Sequence, residues 1–117
     1  LTDVTDGQAD ELGGRLAAHI IRRWDGDETL MALLRAGVTN EPVAAKARSI
    51  FATQLGPVVR AICDSDEEAA RRAGLVASQV LGFALTRYIL KFPPVVALSK
   101  EEVVYWLGPT LQRYLTG

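Results

Sequence analysis

Cysteine and histidine are nearly missing from this chain, and their scarcity removes several kinds of chemistry at once. The one cysteine, Cys63, cannot close an internal disulfide, whereas a small secreted domain more often carries an even set, so a reducing, cytoplasmic setting is expected. The one histidine, His19, has only Ala18 and Ile20 beside it and does not make an activated nucleophile's base. With Cys63 it offers no recognisable zinc spacing. The acidic stretches Asp25-Gly26-Asp27 and Asp64 to Glu68 lack ligands at alternate positions of a calcium loop, and Gly13-Gly14 is neither a P-loop nor a dinucleotide fingerprint. No metal, no cofactor and no enzyme activity are expected. Basic surplus is missing too: 13 Lys and Arg face 14 Asp and Glu, so this segment does not announce a nucleic-acid surface. No apolar run is long enough to span a bilayer, since Arg87 and Lys91 interrupt the best candidate, and no membrane partner is expected. The chain opens at Leu1 with neither methionine nor a charged, apolar leader, and reads as a mature or cut piece of something longer.

What is present is apolar and helical. At 117 residues, 49% hydrophobic and 23% charged, the chain forms one domain with its own core. Punctuation divides it into about five helices and no strand. The first runs from about Gln8 to Asp25, with Leu12, Leu16, Ile20 and Trp24 on one stripe, although Gly13 and Gly14 each cost it about 1 kcal/mol relative to Ala. The second spans about Glu28 to Ala36. Asn40 caps a bent third helix, Val43 to Leu55 and Pro57 to Ile62, broken by Gly56-Pro57. Ser65 or Asp66 caps the fourth, which ends near Phe92-Pro93-Pro94. Ser99 and Glu102 form a capping box for the fifth, with Val103, Leu107, Leu111 and Tyr114 on one side, and Gly108-Pro109 bends or restarts it.

The fourth helix is the most telling segment. From Gly74 to Lys91 its apolar residues point in every direction, and a helix apolar all round must be covered on all sides. So small a chain covers one face itself and is expected to meet a second copy with another. Ser78, Gly82 and Thr86 form a ridge of small residues, flanked by Leu75, Gln79 and Ile89. Paired with Val104, Leu107, Leu111 and Leu115 of the fifth helix, they are the candidate dimer seam. Pattern alone also allows this ridge to pack inside one chain, and Val103 and Tyr114 can exchange places with some of these residues.

A small-molecule pocket between helices needs large apolar walls and a few polar anchors. The candidates are Trp24, Met31, Phe51, Leu55, Phe83 and Arg87, with His19 and Gln54 as polar contacts. Each would serve equally well as ordinary core filling.

Five segments in order carry a resemblance: Trp24 and the acidic turn after it, 30–42 (LMALLRAGVTNEP), 51–62 (FATQLGPVVRAI), 75–95 (LVASQVLGFALTRYILKFPPV) and 99–117 (SKEEVVYWLGPTLQRYLTG). Together they resemble the C-terminal regulatory domain of tetracycline-repressor-like (TetR family) transcriptional regulators, over nearly the whole chain. The resemblance implies an all-α domain that dimerises through an intersubunit four-helix bundle of its last two long helices. It further implies a small apolar or aromatic effector whose binding releases operator DNA, most often as a repressor. A DNA-binding helix-turn-helix is not found in these residues, so DNA contact would belong to an absent N-terminal domain. The competing expectation is a helical oligomerisation or protein-interaction module with a filled core and no ligand.

Overall fold

A computed structural model describes residues 9–117. A 3₁₀ turn, Ala9–Glu11, leads into α1, Leu12–Trp24; Gln8, the expected start of the first helix, lies outside the described residues. Leu12, Leu16 and Ile20 are buried at i, i+4 spacing, and Gly13, Ala17 and Ile21 form a second buried row beside them. The turn after α1 passes through Gly26 at φ 80, a left-handed conformation that costs a glycine nothing.

Asp27 caps α2, Glu28–Gly37, by accepting from the Leu30 amide at 2.9 Å. Asn40 caps α3, Glu41–Ile50, through the Val43 amide at 3.3 Å. The break expected at Gly56-Pro57 takes a specific form. Pro57 has no N–H to give the carbonyl four residues back, and the chain widens into a π turn, Phe51–Leu55, in which the Gly56 amide reaches the Phe51 carbonyl. Helix α4, Gly56–Arg60, follows directly, so the discontinuity is absorbed and not left as a break.

Ser65, and not Asp66, caps α5, Asp66–Ala84, by accepting from the Glu68 amide at 3.2 Å. A second π turn, Leu85–Ile89, ends it, Lys91 takes a positive φ of 55, and the short α6, Pro93–Val96, turns the chain back. Helix α7, Lys100–Thr116, begins with the full Ser99/Glu102 capping box. It neither breaks nor restarts at Gly108-Pro109: Pro109 lies within the continuous helix, on its exposed side.

Among the described residues the architecture is all-α. The core joins Leu12, Leu16, Ala17, Ile20 and Ile21 of α1, Val59 of α4, Ala69, Ala73, Val76 and Val80 of α5, and Val103, Leu107, Leu111 and Leu115 of α7. Helices α1 and α7 make the most extensive packing in the domain. They approach through glycine: a Cβ on Gly13 would lie 2.2 Å from the Gly108 carbonyl oxygen, and the Gly13 amide donates to Gln112 Oε1 at 2.6 Å. Gly13, which weakens α1 as a helix, is thus what lets α7 approach it.

Candidate functional site

Helix α5 divides its apolar residues by size. Ala69, Ala73, Val76, Val80 and Ala84 face inward and are buried, which lets α5 sit close to the body. The bulk faces outward: Leu75 and Leu81, and Leu85 just past the helix end, are exposed, with Ser78 and Gly82 between them. A Cβ on Gly82 would meet nothing within 4 Å. Helix α7 runs antiparallel beside α5, because Arg72 near the start of α5 donates to the Tyr114 carbonyl and Arg87 beyond its end donates to the Leu98 carbonyl, each at 3.0 Å. Glu68 steadies that junction. The hydrogen bonds from Arg71 and Arg72 hold its carboxyl below the usual carboxylate range. On α7 the outward aromatic residues are Tyr105 and Trp106, 71% and 66% exposed, set edge to face at 5.2 Å.

The sequence-derived seam residues therefore separate into two groups. Leu75, Ser78 and Gly82 lie exposed on α5, and Gln79, Thr86 and Ile89 are half-buried along its edges. Leu107, Leu111 and Leu115 do not join them: they are buried against α1 inside the single chain, and Val104 is half-buried beside them. The reason is that α7 has one continuous apolar stripe, and α1 claims it. Tyr114, expected on that stripe, is displaced to partial burial by Leu115. The outward residues that the seam expectation did not include are Leu81, Leu85, Tyr105 and Trp106. Their position off the buried stripe of α5 and α7 was the available signal.

The pocket candidates are also dispersed. Trp24, Phe51, Leu55 and Phe83 are half-buried against the core, and Met31 is buried on α2. Gln54 is exposed and His19 half-buried. Arg87 is bound into the fold: Nη1 donates to the Val95 and Leu98 carbonyls, both at 3.0 Å, Nε lies 3.6 Å from Asp25 Oδ1, and the guanidinium sits 5.8 Å from the ring centres of Phe83 and Tyr88. Burial, reinforced by the nearby Asp25 carboxylate, pushes the Tyr88 phenol well above its usual range. Two open grooves, about 560 and 140 Å³, lie elsewhere, the first between the start of α1 and the middle of α7, the second where α5 meets the end of α7. Neither is lined by any of the eight pocket candidates.

The sequence of residues 10–115 matches the model of the tetracyclin repressor-like, C-terminal domain family. The chain belongs to that family. No curated protein and no solved structure matches it. Tetracyclin repressor-like C-terminal domains are regulatory domains. No helix among the described residues is long and apolar enough to cross a membrane.

Proposed function

We propose that this tetracyclin repressor-like domain is the dimerisation and effector-sensing part of a transcriptional repressor. The observation that carries the reading is the inverted size pattern of α5, with small residues buried and leucines exposed. Leu75, Leu81, Leu85 and Trp106 leave large apolar side chains exposed, of the kind that a partner covers. A second copy is the occupant that family membership supports, with α5 and α7 of each subunit forming a four-helix seam. The small residues Ser78 and Gly82 let the partner helix come close, while Leu75, Leu85 and Trp106 supply the apolar area.

Sensing then works by differential affinity. An effector that fits one arrangement of α1 to α4 better than another shifts the balance between them. The seam passes that change to the spacing of DNA-binding heads, which belong to a helix-turn-helix outside these residues. Trp24, Met31, Phe51, Leu55 and Phe83 are the apolar walls of the sensing half, with His19 and Gln54 as polar contacts. Arg87, already engaged by two carbonyls and a carboxylate, orders this region in place of contacting the ligand.

Native mass spectrometry of the purified chain tests both parts in one spectrum. A dimer carrying extra mass supports the reading and begins to identify the effector. A dimer that takes up no compound from an apolar and aromatic panel favours an interaction module with a filled core. A monomer overturns the seam.

A further inference from the structure

The groove where α5 meets the end of α7 carries a charge pattern that neither the seam nor the sensing half uses. Its walls are Glu68, Arg71, Arg72 and Leu75 of α5 and Arg113 and Tyr114 of α7. The four α5 residues fall at i, i+3, i+4 and i+7, which is one face of a helix. The antiparallel run of α7 brings Arg113 to the same groove. Three guanidinium groups and one carboxylate then line it, an excess of two positive charges in a chain whose formal net charge is -1.

Glu68 takes up part of the donor capacity and orders it. Its Oε1 accepts from Arg72 Nε at 2.7 Å and its Oε2 from Arg71 Nη2 at 3.0 Å. Arg72 is held at both ends, since its Nη1 also donates to the Tyr114 carbonyl at 3.0 Å. Arg71 is anchored by one nitrogen alone, and its Nε and Nη1 have no partner among the described residues. Arg113 is exposed, and its guanidinium makes neither an ion pair nor a hydrogen bond among the described residues. Two guanidinium forks thus border one groove with donors to spare, and their mutual repulsion is offset by a single carboxylate.

Guanidinium forks match the oxygens of carboxylate and phosphate. A carboxylate brings one negative charge and two oxygens, and Glu68 already supplies that. The remaining excess of two charges, spread over separate forks, suits a group with about two negative charges and three accepting oxygens, as a phosphate monoester has. A groove of about 140 Å³ is well below the roughly 300 Å³ or more that encloses a drug-sized molecule, so it admits the phosphate group and little else. We infer that this groove is a binding site for a phosphate group, free or as a monoester, seated between Arg71 and Arg113, with Glu68 and Arg72 ordering the floor and Leu75 forming one side. The site belongs to the single chain and does not rest on the function proposed above. Being open to solvent, it binds weakly and loses affinity as salt rises.

Amide NMR titration of the full chain tests it, with inorganic phosphate, phenyl phosphate and acetate as probes and sodium chloride holding the ionic strength constant. Phosphate moves the amides of 68–75 and 111–116 along a saturable curve, and acetate binds more weakly. Arg113→Gln, at an exposed side chain with no bond to lose, keeps the parent's thermal unfolding in the absence of phosphate and weakens phosphate binding about fivefold. Arg71→Gln weakens it similarly, and Arg48→Gln on α3 leaves it unchanged. Phenyl phosphate binding at the same amides identifies a site that accepts monoesters; phosphate binding without it identifies a site for the free anion. The site is overturned if chloride alone reproduces the shifts, if acetate binds as tightly as phosphate, if the shifts spread over arginines elsewhere in the chain, or if Arg113→Gln retains the parent's affinity.

Discussion

Alanine at Gly13 and alanine at Gly14 have opposite effects in this domain, although the two glycines are neighbours in one helix. Helix propensity alone favours both changes by about 1 kcal/mol. At Gly14 nothing lies within 4 Å of the new Cβ, so the gain is realised, and for a domain of this size it raises Tm by about 4 °C. At Gly13 the new Cβ falls 2.2 Å from the Gly108 carbonyl oxygen and 2.5 Å from the Gln112 amide nitrogen. Both are backbone atoms, so no rotamer relieves the clash, and α1 must move off α7 by roughly 1 Å to restore normal contact distances. That movement loosens the Leu12, Leu16, Leu107 and Leu111 packing and stretches the bond from the Gly13 amide to Gln112. Overpacking of this kind costs about 3 kcal/mol, which outweighs the propensity gain and leaves a net loss of about 2 kcal/mol, or about 8 °C in Tm. Thermal unfolding followed by circular dichroism at 222 nm, on the two variants and the parent, reads the difference. Shifts of the same sign in both variants would show that α1 and α7 do not meet through Gly13.

Gly82→Arg leaves the subunit's fold intact, because its Cβ opens to solvent, and converts the proposed dimer to monomers; light scattering that still reports a dimer moves the seam off this ridge. Trp106→Ala weakens the dimer by about 2 kcal/mol or more as a central aromatic anchor, read by dilution in analytical ultracentrifugation, with little change in the monomer's own core. Tyr88 has its phenol pKa raised above the ordinary 10.0, so the folded chain keeps the proton while the unfolded chain loses it. That contribution is complete below pH 10 and is lost as pH rises through the folded value, and a Tyr88→Phe chain shows a shallower alkaline loss of stability in urea titrations. Ser99→Ala removes the cap on the Glu102 amide and costs about 1 kcal/mol in the same assay.

Much of the helical order was legible because each boundary rests on a local interaction. Asn40, Ser65 and Ser99 each bond an amide three residues on, a contact that needs no other part of the chain, and Asp27, read only as part of a turn, does the same for α2. The two proline sites show where local reading runs out. Pro57 and Pro109 remove the same kind of hydrogen bond, yet one widens the helix into a π turn and the other is accommodated within a continuous α7. Nothing in either dipeptide distinguishes them, and both prolines lie on exposed positions; the difference lies in the surroundings of the flanking turns. On α5 the residues proposed for the seam, Leu75, Ser78 and Gly82, lie outward in the single chain. On α7 the periodicity of Leu107 and Leu111 suits a seam and a core alike, and the position of α1 buries them within the chain.

Family, helical class, caps and the surplus of apolar surface on α5 were therefore determined by the sequence by itself. They follow from composition, from 3.6-residue periodicity and from contacts within one turn, which are all short-range. Tertiary structure alone decided that Gly13 is a packing contact, that Trp106 faces out while Leu111 faces in, and that Arg87 is joined to Asp25 sixty-two residues earlier in the chain. Each depends on which distant surface arrives, and in a chain of similar amphipathic helices many arrivals satisfy the same pattern. Close packing selects among them, since Gly13 of α1 admits the α7 backbone at a distance that a residue with a Cβ would forbid.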